Sequence, residues 1–211
     1  MKALGMIEVY SFTTAVCVAD LCAKTADVRV IAFDRNRPIR TDVPAPLVME
    51  VKIEGDTSAV QSAIAAAKKY AEGQGKYIVS HVIAHPDDKT EPMAYLLDIN
   101  RDKFNKKLGK KAPVVDQDKS YSAIGIIEVQ GLVAAISGLD EMLKAANVRV
   151  IHTEKRLGGR LVTFIVTGEV SAVKASVEAG STNARKLGEV FGCEVIARPH
   201  AEIMKFFDLE A

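Results

Sequence analysis

"LGMIEV" at residues 4–9 returns as "IGIIEV" at 124–129, and the reading of the whole chain follows from that repetition. Internal repeats are read before anything else because a missed one misplaces every element after it. "TADVRVIAF" at 25–33 returns as "AANVRVIHT" at 145–153, at the same spacing of 120 residues. Beyond that point "EGDTSAVQSAI" at 54–64 answers "TGEVSAVKASV" at 167–177, and "VIAHP" at 82–86 answers "VIARP" at 195–199, both at a spacing of 113. The fall of seven places an insertion in the first copy at 34–46, "DRNRPIRTDVPAP". The second copy has only "EKRLGGR" there, at 154–160.

Each copy predicts the same order of elements. A strand (4–9; 124–129) leads to a helix (12–25; 132–146) whose apolar face is Leu132, Ala135, Ile136, Leu139 and Leu143. Phe12, Ala15, Val16, Ala19 and Ala23 repeat that face in the first copy, at helical spacing. A strand pair follows (28–33 with 47–53; 148–153 with 161–167), joined by the unequal loops. A second helix starts after Gly55-Asp56 and Gly168-Glu169, where Asp56, Thr57, Ser58 and Ser171 favour an N-terminus. Its buried stripe is Val60, Ile64 and Ala67, mirrored by Val173, Val177 and Gly180. A fourth strand (77–84; 193–197) ends at a proline, and a short helix closes each copy. The expected class is α+β: two tandem ferredoxin-like β-α-β-β-α-β units in the same, non-permuted order. The boundaries are 1–104 for the first domain, 105–120 for a lysine-rich linker, and 121–211 for the second domain.

Composition narrows the function classes. A formal net charge of +1 excludes a globally basic nucleic-acid binder. The run Lys103, Lys106, Lys107, Lys110 and Lys111 has no interleaved aromatic platform, so it reads as a solvated linker, and no nucleic-acid partner is expected. No apolar stretch is long enough to span a membrane, and the N-terminus is too charged for a secretion signal, so a soluble cytosolic protein is expected. Three cysteines fit a reducing compartment. Cys17, Cys22 and Cys193 read as small buried residues, and His81, His85, His152 and His200 lack metal-ligand spacing. No metal site, cofactor or catalytic motif is expected, and the chain is not read as an enzyme.

"GIIEVQGLVAAISGLDEMLKAANVRVI" (125–151), "VTGEVSAVKASVEAG" (166–180) and "VIARPH" (195–200) carry a resemblance to the shell-forming domain of bacterial microcompartments. The first copy resembles a more divergent version of that domain. The resemblance implies a homotrimer that imitates a hexagonal tile of six domains, packs edge to edge with other shell proteins, and encloses enzymes. It also implies tile-edge contacts at Lys24, His85, Lys144 and Arg198, the edge lysine lying along its counterpart on the next tile. The implied pore lining is Arg35, Arg37, Pro38 and Arg40 from the first loop, with Lys155, Arg156, Leu157, Gly158 and Gly159 from the second. Some tandem shell proteins hold an iron–sulfur cluster on pore-loop cysteines, but these loops contain none.

The two loops carry Arg35, Arg37, Arg40, Lys155, Arg156 and Arg160 against Asp34, Asp42 and Glu154, a net +3 per chain. A narrow opening of that sign favours small anionic metabolites. The competing expectation is that the three carboxylates pair with the arginines and turn them aside. A duplicated ferredoxin-like protein also admits a different function, a cytosolic small-molecule sensor with its ligand between units. The edge residues Lys144 and Arg198 favour the shell.

Overall fold

The computed structural model describes residues 2–90, 94, 98–99, 120–155 and 157–207. The chain divides into two compact units, Met1–Val115 and Asp116–Ala211. The first holds β1 (Ala3–Tyr10), α1 (Phe12–Thr25), β2 (Val28–Asn36), β3 (Val48–Gly55), α2 (Thr57–Gly73) and β4 (Tyr77–Ile83). The second repeats it with β5 (Ala123–Gln130), α3 (Leu132–Ala145), β6 (Arg149–Glu154), β7 (Leu161–Gly168), α4 (Val170–Ala184) and β8 (Val190–Ala197). A one-turn helix, α5 (Ala201–Met204), follows.

The sheets are antiparallel with orders β2-β3-β1-β4 and β6-β7-β5-β8, the ferredoxin-like arrangement the sequence predicts. Alternation along β1 sends Gly5, Ile7 and Val9 to the helix side and Leu4, Met6 and Glu8 to the other. A Cβ on Gly5 would lie 2.6 Å from Val60 Cγ1, and one on Gly125 would lie 2.5 Å from Val177 Cγ2. Both first strands therefore carry glycine where the second helix presses onto the sheet. The second unit's core is Ile127, Val129, Phe164 and Val166 of the sheet against Ala135, Met142, Val173 and Val177 of the helices.

Several expectations need correcting. β2 runs two residues past the equivalent end of β6, so Asp34 and Arg35 are on a strand, and the first loop is 37–47. β8 begins at Val190, which puts Cys193 inside the strand and only partly buried rather than at its start. Asp56 and Glu169 occupy N-cap positions, but neither side chain makes a capping hydrogen bond. Asp56 instead pairs with Lys2 at 3.3 Å, and Glu169 accepts from the Ser122 hydroxyl at 3.3 Å. The linker expected at 105–120, apart from Ser120, and its lysine run lie outside the described residues, as does Arg156; of the region expected to hold the first copy's closing helix only residues 94, 98 and 99 beyond 90 are described.

The main correction concerns α3. Its core-facing residues are Ala134, Ala135, Gly138 and Met142, with Leu139 partly buried. Leu132, Val133, Ile136 and Leu143 stand exposed at 61%, 74%, 55% and 43%. The cause is a close helix crossing: a Cβ on Gly138 would lie 3.1 Å from the Gly180 carbonyl oxygen, so small residues fill the contact. The bulky apolar residues are left on the outer arc. In α1 the equivalent residues Phe12, Thr13, Val16 and Ala23 are all buried.

Candidate functional site

Two regions recur in both units: the tip of the β2–β3 or β6–β7 hairpin, and the C-terminal end of α1 or α3. In the first hairpin Arg35 faces Met49 across the strand pair and is exposed, like Arg37. Asn36 Oδ1 accepts from the Arg37 N–H at 2.8 Å and shapes the exit from β2. Pro38 is half-buried, Ile39 is fully exposed, and Ala45 and Leu47 tuck the far end of the loop into the core. Arg40 grips Asp42 with two nitrogens, Nε donating to Oδ1 at 2.8 Å and Nη2 to Oδ2. That grip holds the Asp42 carboxyl below its ordinary value.

The second tip is shorter and glycine-dependent. Gly158 and Gly159 have φ of 83° and 63°, and Arg160 follows at 61°. Three successive left-handed residues turn the chain within the loop, which gives the glycines a local reason to be there. The Leu161 N–H donates to the Gly158 carbonyl at 3.0 Å, and Gln130 Nε2 donates to the Gly159 carbonyl at 3.0 Å. Lys155 is exposed. Leu157, expected on an opening, is 1% exposed and anchors the loop in the core. Arg160 folds back over the start of α3, its Nη2 3.7 Å from where a Gly131 Cβ would lie.

The carboxylates expected to oppose these cations mostly lie elsewhere. Asp42 does pair with Arg40. Asp34 is buried and pairs with buried Lys52 at 2.6 Å, and Glu154 is buried 3.8 Å from His152, whose ring meets Phe207 at 5.2 Å. Arg35, Arg37, Lys155 and Arg160 are left as exposed cations on the two tips.

Lys52 and its surroundings were not singled out by sequence reasoning. The lysine lies on the sheet face away from the helices, with Asp34 of β2 and Glu50 of β3 around it, Glu50 Oε2 at 3.5 Å. Glu8 faces Glu50 across β1–β3, and Asp98 bridges Asp34. Burial pushes the Glu50 carboxyl above its ordinary value, Lys52 opposes this, and Asp34 and Glu8 add to it. A carboxyl raised on folding binds protons more readily in the folded chain. Its contribution to stability therefore improves as pH falls through the raised value toward the ordinary one near 4.3. Glu50→Gln is expected to raise the melting temperature at pH 7 and to have no advantage at pH 4, as read by thermal unfolding at both.

At the helix ends, Lys144 is exposed and its ammonium meets Asp140 at 2.5 Å, while Lys24 meets Asp20 at the same distance. Each ammonium is thus engaged within its own helix. His85 is exposed in the bend after β4. Arg198 is exposed at φ 46°, its N–H donating to the Ser122 carbonyl at 2.8 Å, and His200 caps α5 through Nδ1.

Among the described residues no three His, Cys, Asp or Glu side chains cluster as a metal-ligand set, and no helix is long and apolar enough to cross a membrane. Burial raises the Cys22 thiol to about 12, so it stays protonated at neutral pH.

The sequence model described as "BMC domain" matches residues 3–86 and again 123–199. The carboxysome assembly protein CcmO of Synechococcus elongatus is 32% identical over 203 residues, covering 96% of this chain and 67% of that protein. The bacterial microcompartment shell protein PduA of Citrobacter freundii is 49% identical over 83 residues, 39% of this chain and 88% of PduA. EutM of Escherichia coli, also a microcompartment shell protein, is 42% identical over 87 residues, 41% of this chain and 89% of EutM.

Proposed function

Because the chain belongs to the BMC-domain family and is a microcompartment shell protein with two such domains in tandem, we propose that three copies close into one hexagon-like tile. The hairpin tips surround its central opening, and the Lys24 and Lys144 helix ends lie on its rim with His85 and Arg198. The uncovered arc of α3 carries this reading. Leu132, Val133, Ile136 and Leu143 are exposed, whereas Phe12, Thr13, Val16 and Ala23 are buried within the chain. A contiguous exposed apolar arc marks an interaction surface. An open apolar face of this kind is covered by another copy, and a head-to-tail contact whose rotation closes makes a ring. Two domains per chain and the family's six-domain tile give three copies. The contact is of the obligate, apolar kind, above about 2,000 Å² in total.

The opening carries small anionic metabolites. Arg35, Arg37 and Lys155 are exposed on the tips, and Arg40 is neutralised by Asp42 rather than by a core carboxylate. Charges on a narrow ring fall within the ~8 Å screening length of physiological salt and concentrate counter-ions. The test is flux through reconstituted shells bearing Arg37→Glu with Lys155→Glu. Permeability to a small carboxylate should fall about tenfold relative to a neutral solute of equal size; an unchanged ratio overturns the charge filter. Electron microscopy of the purified protein tests the tile itself, which predicts sheets or tubes with hexagonal order.

A further inference from the structure

The paired lysines at the helix ends have a feature that stability does not explain. Asp140 lies one turn before Lys144, with the two side chains 58% and 67% exposed. Asp20 lies one turn before Lys24 at the equivalent positions, 7% and 36% exposed. Both pairs run acid to base at i,i+4, the favourable direction, with the lysine in the last turn. The exposed pair, Asp140–Lys144, adds little to folding. The two copies differ over most of their length, yet both keep such a pair.

We propose that Asp140 is the positioning residue for Lys144 in tile-to-tile contact, and that Asp20 does the same for Lys24; this rests on the tile-edge reading above. Edges of one kind meeting edges of the same kind bring lysine toward lysine, and two bare ammonium groups repel. A lysine already held by its own aspartate presents a locally neutral pair, with its remaining N–H donors directed by the bond it has made. The Asp140 hydrogen bond also holds the Lys144 ammonium above its ordinary value, so it stays charged throughout the physiological range.

At 3.6 residues per turn, Leu132, Ile136, Asp140, Leu143 and Lys144 fall in one arc of about 120°. The subunit contact that covers the apolar part of this arc also shields Asp140, as Asp20 is already shielded at 7%. Loss of water strengthens the aspartate's hold on the lysine. Ring closure therefore tightens the hold on Lys144, and the closed ring is the form that tiles.

The experiment compares wild type, Asp140→Asn and Asp140→Glu by sedimentation for ring formation, and by electron microscopy and light scattering for sheets, at ~50 mM and ~500 mM salt. Asp140→Asn should form the ring normally but need about tenfold more protein to make sheets at the lower salt. The higher salt should close most of that gap by screening the lysines, and Asp140→Glu should behave as wild type. Normal sheet formation by Asp140→Asn at low salt overturns the proposal. So does a defect that salt leaves unchanged, or loss of the ring. A wild-type protein that forms rings but no sheets at either salt sinks the tile-edge reading instead.

Discussion

Lys52→Met is expected to destabilise the first unit by about 3–5 kcal/mol at pH 7, because it strips the cation from a buried ion pair. Lys52 and Asp34 are both nearly inaccessible, and Glu50 lies at 3.5 Å from the same ammonium. Glu8 and Asp98 are strand neighbours of that group. Methionine keeps the side chain's volume but leaves buried carboxylates facing one another. A domain's whole stability is only about 5–15 kcal/mol, so this one change takes a large share of it. The loss should shrink as pH falls, since protonation removes the charges that lysine balanced. The second unit arranges the same site without the lysine: Ile165 stands at the position of Lys52 and Thr163 at that of Glu50, both fully buried, while Glu128 and Glu154 keep buried carboxylates at the positions of Glu8 and Asp34, with His152 3.8 Å from Glu154. Lys52→Ile with Asp34→Asn should accordingly recover most of what the single change loses. Urea unfolding of the three proteins at pH 7 and pH 4.5 measures this. Equal stability of Lys52→Met and wild type at pH 7 contradicts the ion-pair account.

Ile136→Asp is expected to abolish the ring while leaving the chain folded. Ile136 is 55% exposed, so the aspartate meets water in the isolated chain and folding is nearly unaffected. In the proposed contact the same carboxylate is trapped in an apolar seam without a partner, at several kcal/mol per site. Sedimentation should then give the 22.8 kDa chain, and circular dichroism should match wild type. A ring that survives Ile136→Asp places the subunit contact elsewhere.

The repeat made the fold readable. Strand alternation, helix periodicity and the paired spacings placed the eight strands and four long helices of the described residues. The α3 face was misread for a physical reason. Leu132, Ala135, Ile136, Leu139 and Leu143 form a regular apolar stripe, but tight packing on α4 through Gly138 keeps Ala135 and Leu139 against the core and turns Leu132, Ile136 and Leu143 outward. Periodicity reveals an apolar arc without saying whether a core or another copy covers it; the second apolar arc through Ala134, Gly138 and Met142 was the available sign. At the hairpin tips, charge was legible and pairing was not. Asp42 sits two residues from Arg40 and could be matched by proximity. Asp34 is taken instead by Lys52, eighteen residues away, through a register that only the paired strands establish. The Asp–Lys spacing at 20/24 and 140/144 was visible in the letters from the start, but its two degrees of exposure required the fold.

Sedimentation equilibrium of the wild-type protein at micromolar concentration tests the central claim most directly. The account predicts a single species of three chains, each of 22.8 kDa, with no dissociation over a hundredfold dilution. A 22.8 kDa single chain, or a closed dimer, would contradict it.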